Sequence, residues 1–231
     1  MIRKIFYKLR EWWQKDELYE SFRKRRGGKW VMGRRDWVEL SRVITKYRPK
    51  RILDLGTGIG GSTACMARAS RGKAFIDTVE QLEKCIRIAR ELIPAKYLSH
   101  ISFHHSEVEI VEFPEIPYRH FIRYQNLPQG DWDLVVIDGP WLKFEKDKLI
   151  DLPAADIFAL LPQLKEGCLI YLDGRLELKS VIKRFYHSYL EVEEEEEEDR
   201  FTIWKRNTKP FSGLDDALLE KMKTFGYFDE G

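Results

Sequence analysis

Between residues 51 and 185, short apolar runs alternate with stretches of helical spacing, and this alternation restricts the fold more than any other feature of the chain. Residues 51–55, 74–80, 101–106, 133–138 and 168–172 read as strands, and 36–47, 62–69, 82–92, 154–164 and 176–185 as helices. The run Leu134-Val135-Val136-Ile137 has no polar member, as expected of a strand covered on both faces. Strands linked by helices predict an α/β, Rossmann-like architecture: a mostly parallel sheet with helices on both faces. The pattern then changes. Residues 189–193 and 201–205 are strand-like with only an acidic run between them, so the sheet should end in a C-terminal antiparallel hairpin, bringing its strands to seven. The stretch 109–131, broken by Pro114, Pro117, Pro128 and Gly130, is expected to be irregular and to form a substrate loop carrying Tyr118, Arg119, His120, Phe121 and Tyr124.

Appendages flank this core, giving an expected division into a basic helical arm (1–35), a central domain (36–207) and a helical extension (208–231) with Leu214, Leu218, Leu219 and Met222 on one face. The formal charge of +2 is unevenly spread: residues 1–35 hold twelve Lys or Arg against four acids, leaving 28 basic and 34 acidic side chains elsewhere. In residues 2–13 the apolar Ile2, Ile5, Phe6, Leu9, Trp12 and Trp13 recur at helical spacing, with Arg3, Lys4, Lys8 and Arg10 between them. Such an arm suits RNA, a peripheral membrane contact, an acidic substrate, or packing as a lid or against a second subunit in a homo-oligomer. No run reaches the roughly 20 apolar residues of a membrane span, and no signal-peptide pattern precedes the core, so a cytoplasmic location is expected. Cys65, Cys85 and Cys168 are too widely spaced for a zinc site and read as small core residues. The acidic run 193–198 reads as a solvated hairpin turn.

The chemistry is concentrated in Leu53-Asp54-Leu55-Gly56-Thr57-Gly58-Ile59-Gly60-Gly61-Ser62-Thr63, which follows a strand and opens a helix. Glycines there allow a tight turn and bring main-chain N–H groups against a ligand. Glu80 ends the next strand, where a carboxylate can accept both hydroxyls of a ribose. The glycines alone also fit a dinucleotide site, which would make the chain an NAD-linked oxidoreductase. Asp54 argues against that reading, since it would repel a pyrophosphate and attract a cation.

Residues 52–63, Glu80 and Asp133-Leu134-Val135-Val136-Ile137-Asp138-Gly139-Pro140 together resemble a class I S-adenosylmethionine-dependent methyltransferase over roughly residues 30–206. The resemblance implies the Rossmann-like methyltransferase fold and S-adenosylmethionine as cofactor, with S-adenosylhomocysteine as product. It also implies donor contacts from Asp54, Gly56, Thr57, Gly58, Gly60, Ser62, Thr63, Glu80, Gln81, Ser106, Glu107 and Asp138, with Trp30, Val31, Met32 and Gly33 near the donor.

The order of elements is similar to the catechol O-methyltransferase-like branch, which implies a small-molecule acceptor methylated at oxygen. Asp138, Lys143 and Asp173 are the catalytic candidates, with His104 and His105 as further bases. Metal-dependent members would hold Mg²⁺ on the two aspartates, but Gly174 and Trp141 depart from their pattern, so no metal ligand is assigned. A donor-binding interaction module without turnover is the alternative.

Overall fold

The structure is a computed structural model and describes residues 16–25, 27–112, 120–140, 142–144, 148–150, 152–196 and 201–212, with the side chains of 142–144 and 148–150 left out. The arm sequence 2–13, residues 114–119, Trp141, the end of the acidic run and the C-terminal helix expected over 211–225 lie wholly or largely outside the described residues. Two compact units make up the chain, Met1–His105 and Ser106–Gly231.

In the first unit, β1 (Arg51–Leu55), β2 (Phe75–Glu80) and β3 (Ile101–His105) pair in parallel in that order. Helices Gly61–Ala69 and Glu83–Leu92 form the β1–β2 and β2–β3 crossovers. The first of these is buried along its length from Gly61 to Ala67. The second is amphipathic and buries Ile86 and Ala89, because its apolar residues recur once per turn.

Residues 16–47 belong to the same core. Helix Glu17–Arg23 buries Tyr19 and Phe22 against Trp37 of helix Arg34–Tyr47, with Tyr19 meeting the Trp37 ring edge-on at 5.3 Å between centroids. Asp16 ties these pieces together. It caps the first helix through the Tyr19 N–H, accepts the Trp37 indole N–H at 2.9 Å, and takes a bidentate ion pair from Arg68 on the helix Gly61–Ala69. Burial pushes the Asp16 carboxyl up, but the Arg68 and Tyr19 donors outweigh it and hold the group below its ordinary value.

The second unit contributes β6 (Leu134–Ile137), β9 (Leu169–Asp173), β10 (Leu190–Glu195) and β11 (Phe201–Arg206) in the order β10-β11-β9-β6. The β6–β9 pair is parallel, whereas β11 runs antiparallel to both β9 and β10. All four residues of β6 are buried. With the three strands of the first unit these make the seven-stranded, mostly parallel sheet of a Rossmann-like methyltransferase fold, ending in the expected antiparallel hairpin.

Three local expectations need correction. The stretch 109–131 contains regular structure, because β4 (Val108–Val111) and β5 (Phe121–Tyr124) form an antiparallel ribbon. A second ribbon, β7 (Leu142–Phe144) with β8 (Lys148–Ile150), follows β6. The acidic run is not wholly a turn: Glu193, Glu194 and Glu195 lie in β10 beside a register shift, and Glu195 pairs with Lys179 and Lys183. The helix expected over 176–185 also changes character, running as an α-helix over Leu176–Val181 and as a π-helix over Ile182–Tyr186.

Candidate functional site

The glycine loop lies in the first unit, between β1 and the helix Gly61–Ala69. Its entry is fixed by the N–H groups of Gly56 and Thr57, both donating to the Val79 carbonyl of β2. Two glycines have distinct physical jobs. A Cβ on Gly60, where φ is +93°, would lie 2.8 Å from the Ala89 Cβ, so this position lets the helix Glu83–Leu92 approach the loop. A Cβ on Gly58, at φ +51°, would meet nothing among the described residues within 4 Å. Gly58 therefore borders open space, as a backbone surface for a ligand requires.

Glu80 closes the loop from β2. Its Oε2 accepts the Gly58 N–H at 2.7 Å and its Oε1 accepts the Leu82 N–H at 3.0 Å. Burial raises its carboxyl above the ordinary value while those N–H groups pull it down. Gln81 is half-buried, and its carbonyl meets His105 Nε2 at 3.0 Å. Leu82, next along, is exposed, a large apolar side chain beside the carboxylate.

Asp54 is fully buried beneath the loop. Thr63 Oγ1 donates to its Oδ2 at 2.6 Å and Thr78 Oγ1 at 3.0 Å, while Ser62 Oγ stands 3.4 Å from both oxygens. Thr78 gives its one hydroxyl proton to Asp54, so the 2.6 Å contact with Thr57 Oγ1 must be donated by Thr57. These partners are all neutral. Burial pushes the Asp54 carboxyl up to about 6 against the pull of the hydroxyls, and Glu80 adds to the rise. The loop thus overlies two acids in need of a positive charge.

In the second unit, Ser106 is buried and its hydroxyl is engaged, accepting the Asn126 N–H at 2.9 Å and donating to the Glu107 carbonyl. Glu107 is exposed. Asp138 follows β6 and Asp173 ends β9; both are half-buried, and the Ile137–Leu172 pairing puts them at neighbouring strand ends. Arg175 Nη2 donates to the Asp138 carbonyl at 2.6 Å, so a guanidinium already supplies positive charge beside that strand end. Among the described residues no group of three or more His, Cys, Asp or Glu could hold a metal ion. Lys143 sits in the middle of β7, opposite Leu149.

The two histidines have structural partners in the first unit: His104 Nε2 meets Asp77 Oδ1 at 2.8 Å, and His105 meets Gln81.

Several residues of consequence escaped the sequence reading. Thr78 had only a faint signal, a hydroxyl between Asp77 and Val79 in β2. Arg175 had none beyond its place after β9. Asp156 is fully buried, with Oδ1 accepting the Tyr124 N–H at 2.9 Å and Oδ2 without a hydrogen-bond partner among the described residues; burial pushes its carboxyl up to about 7.

Residues 36–121, less than half of the chain, match the family described as Protein-L-isoaspartate(D-aspartate) O-methyltransferase (PCMT). Among curated proteins no sequence matches. Solved structures share the fold at low identity. A methyltransferase from Geobacter sulfurreducens superposes with a TM-score of 0.60 at 13% identity, over 89% of this chain and 96% of its own. The Podospora anserina methyltransferase PaMTH1, bound to SAH, gives 0.57 at 17% over 83% and 86%. An O-methyltransferase from Bacillus cereus in complex with SAH gives 0.53 at 14% over 84% and 93%.

Proposed function

We propose that this chain is an S-adenosylmethionine-dependent methyltransferase that transfers a methyl group to oxygen of a small-molecule acceptor. The observation that carries the reading is the loop: Gly58 borders open space with its N–H held by Glu80, above a buried Asp54 whose partners are all neutral. That arrangement suits a ligand with a ribose and a cationic end. The names and bound products of the structural neighbours, and the family match over 36–121, support the same donor.

The donor brings an activated methyl on a sulfonium, so this chain's residues have mainly to position and desolvate. Glu80 would hold the ribose, and Leu82 would offer an apolar surface beside it. Asp54 would attract the cationic end. Asp138 and Asp173 are the proposed acceptor-side carboxylates, and either could take the proton of a hydroxyl acceptor. Lys143 remains a candidate for the same role. The proposed branch is the catechol O-methyltransferase-like one, operating without a metal.

The family match favours a second acceptor class, a carboxylate, whose product is a methyl ester. Calorimetry should show binding of S-adenosylmethionine and S-adenosylhomocysteine and none of NAD; absence of sulfonium binding would sink the proposal. With labelled donor, methyl released as methanol by alkali identifies an ester, whereas alkali-stable label excludes one and leaves an ether to be identified by mass spectrometry of the product. Donor binding without label transfer to any acceptor would instead favour the interaction-module reading.

The two glycines should separate in mutation. Gly58→Ala should cost only about 1 kcal/mol of stability through its left-handed backbone while weakening donor binding roughly tenfold by filling ligand space. Gly60→Ala adds the clash with Ala89 to the same backbone strain and should cost about 2–3 kcal/mol. Thermal melts and calorimetry on both variants measure the contrast. Equal stability losses would show that the loop's packing was misjudged.

A further inference from the structure

We infer that β3 is a pairing edge for a second copy of this chain, the two β3 strands lying antiparallel across a two-fold axis. The seven-stranded sheet has β10 and β3 as its outer strands, and the two are built oppositely. β10 carries Glu191, Glu193, Glu194 and Glu195, and its ladder with β11 slips in register between Val192 and Glu194. Charge and bulging are the ordinary means by which an edge is kept from pairing with another chain. β3 reads Ile101-Ser102-Phe103-His104-His105, without a lysine, arginine, acid or proline, and its ladder with β2 runs without a register shift. One edge is guarded and the other is not.

The unguarded edge has backbone groups to offer. The His100 carbonyl accepts the Ile76 N–H of β2. Alternation along the strand therefore turns the main chain of Ser102 and His104 toward β2, and that of Ile101, Phe103 and His105 outward. Among the described residues no hydrogen bond reaches those outward N–H and C=O groups. The side chains are tied within their own copy: His104 meets Asp77, His105 meets the Gln81 carbonyl, and the Arg90 guanidinium lies 4.9 Å from the Phe103 ring centroid.

The occupant that fits is the same strand. With Phe103 opposite the partner's Phe103, Ile101 falls opposite the partner's His105, and every outward residue belongs to a hydrogen-bonded pair. Two bonds from each pair supply roughly six main-chain hydrogen bonds, and no like charges face one another. Pairing β3 with β3 uses up the unguarded edge of both copies and leaves an acidic β10 as each remaining edge, so assembly stops at two. A five-residue strand is about 17 Å long, an interface at the small end of the range, so a dissociation constant on the order of 10 µM is expected.

Sedimentation equilibrium of the full chain tests the inference. The parent should pass from monomer to dimer around that concentration and go no further. Phe103→Glu sets two carboxylates opposite each other across the axis, while Arg90 supplies a cation within each copy; it should weaken dimerisation at least tenfold, roughly. Phe103→Cys should cross-link on mild oxidation, since Cα atoms of a hydrogen-bonded pair stand about 5.5 Å apart. Ser102→Cys, which would face His104 rather than itself, should cross-link no more than the parent. Circular dichroism checks the fold of each variant, and the cysteine pair decides the matter if Phe103→Glu does not fold. No ligand enters the experiment, so its outcome is separate from that of the methyltransferase reading. A parent monomeric at about 200 µM, well above the expected constant, would overturn the inference. So would assembly beyond a dimer, a dimer that survives Phe103→Glu, or equal cross-linking through positions 102 and 103.

Discussion

Asp54→Asn protein should resist denaturant better than the parent at neutral pH, yet bind S-adenosylmethionine about a hundredfold more weakly. Both effects come from one buried charge. In the folded protein burial pushes the Asp54 carboxyl up to about 6, from an ordinary 3.8. Between those values the folded state holds a proton that the unfolded chain has released. Stability from this group is therefore complete below pH 4 and is lost as pH rises through 6. At about 1.4 kcal/mol per pH unit the loss approaches 3 kcal/mol at pH 7. Asparagine removes that loss but needs an acceptor for its amide among three hydroxyls, so a net gain of about 1–2 kcal/mol is expected. A cationic ligand reverses the balance. A unit charge roughly 5–6 Å away at an effective dielectric near 20 gains about 3 kcal/mol from the carboxylate, which is the hundredfold. Parent donor affinity should also climb as pH rises through 6, with proton release in calorimetry. Urea titrations at pH 5 and 7.5 with donor calorimetry at each would decide it. A variant less stable than the parent at both pH values, with unchanged affinity, would place Asp54 in a purely structural role.

Removing residues 1–26 should unfold the protein, whereas removing 1–15 should leave its melting temperature nearly unchanged. Charge distribution alone set the end of the basic arm near residue 35. The packing draws the line elsewhere, since Phe22 is fully buried, Tyr19 nearly so, and Trp37 lies beneath them. Each ring contributes about 2–3 kcal/mol by burial. Loss of Asp16 would further leave the Trp37 indole and the Arg68 guanidinium without the acceptor they now share, at about 1–3 kcal/mol. The total rivals the whole net stability of an ordinary domain. Circular dichroism melts of the two truncations provide the check, and a cooperative melt of the shorter chain near the parent temperature would refute the assignment.

The centre of the main sheet was legible because β1, β6 and β9 are buried along nearly their whole length and read as apolar runs, a pattern that survives in one dimension. The glycine loop and Glu80 were legible because adjacent elements of a crossover fix their spacing. The two ribbons were not. Their strands are three or four residues long, and the first is interrupted by Pro114 and Pro117, so neither period nor composition marks them. Asp16 and Arg68 stand 52 residues apart, and only packing brings them together. The acidic run misled because glutamates are poor strand formers. Here pairing with β11 and two lysines overrides that preference.

The hydroxyls under the loop have one further consequence. Thr57, Thr78 and Asp54 are joined head to tail, each threonine giving away its only proton in the same direction. Such a chain behaves as a row of coupled rotors with two senses. A charged carboxylate locks every dipole toward itself; a protonated one can donate to Thr78 and turn the row round, so that Thr57 becomes an acceptor. The sense of the hydroxyl row beneath the loop therefore depends on the charge of Asp54.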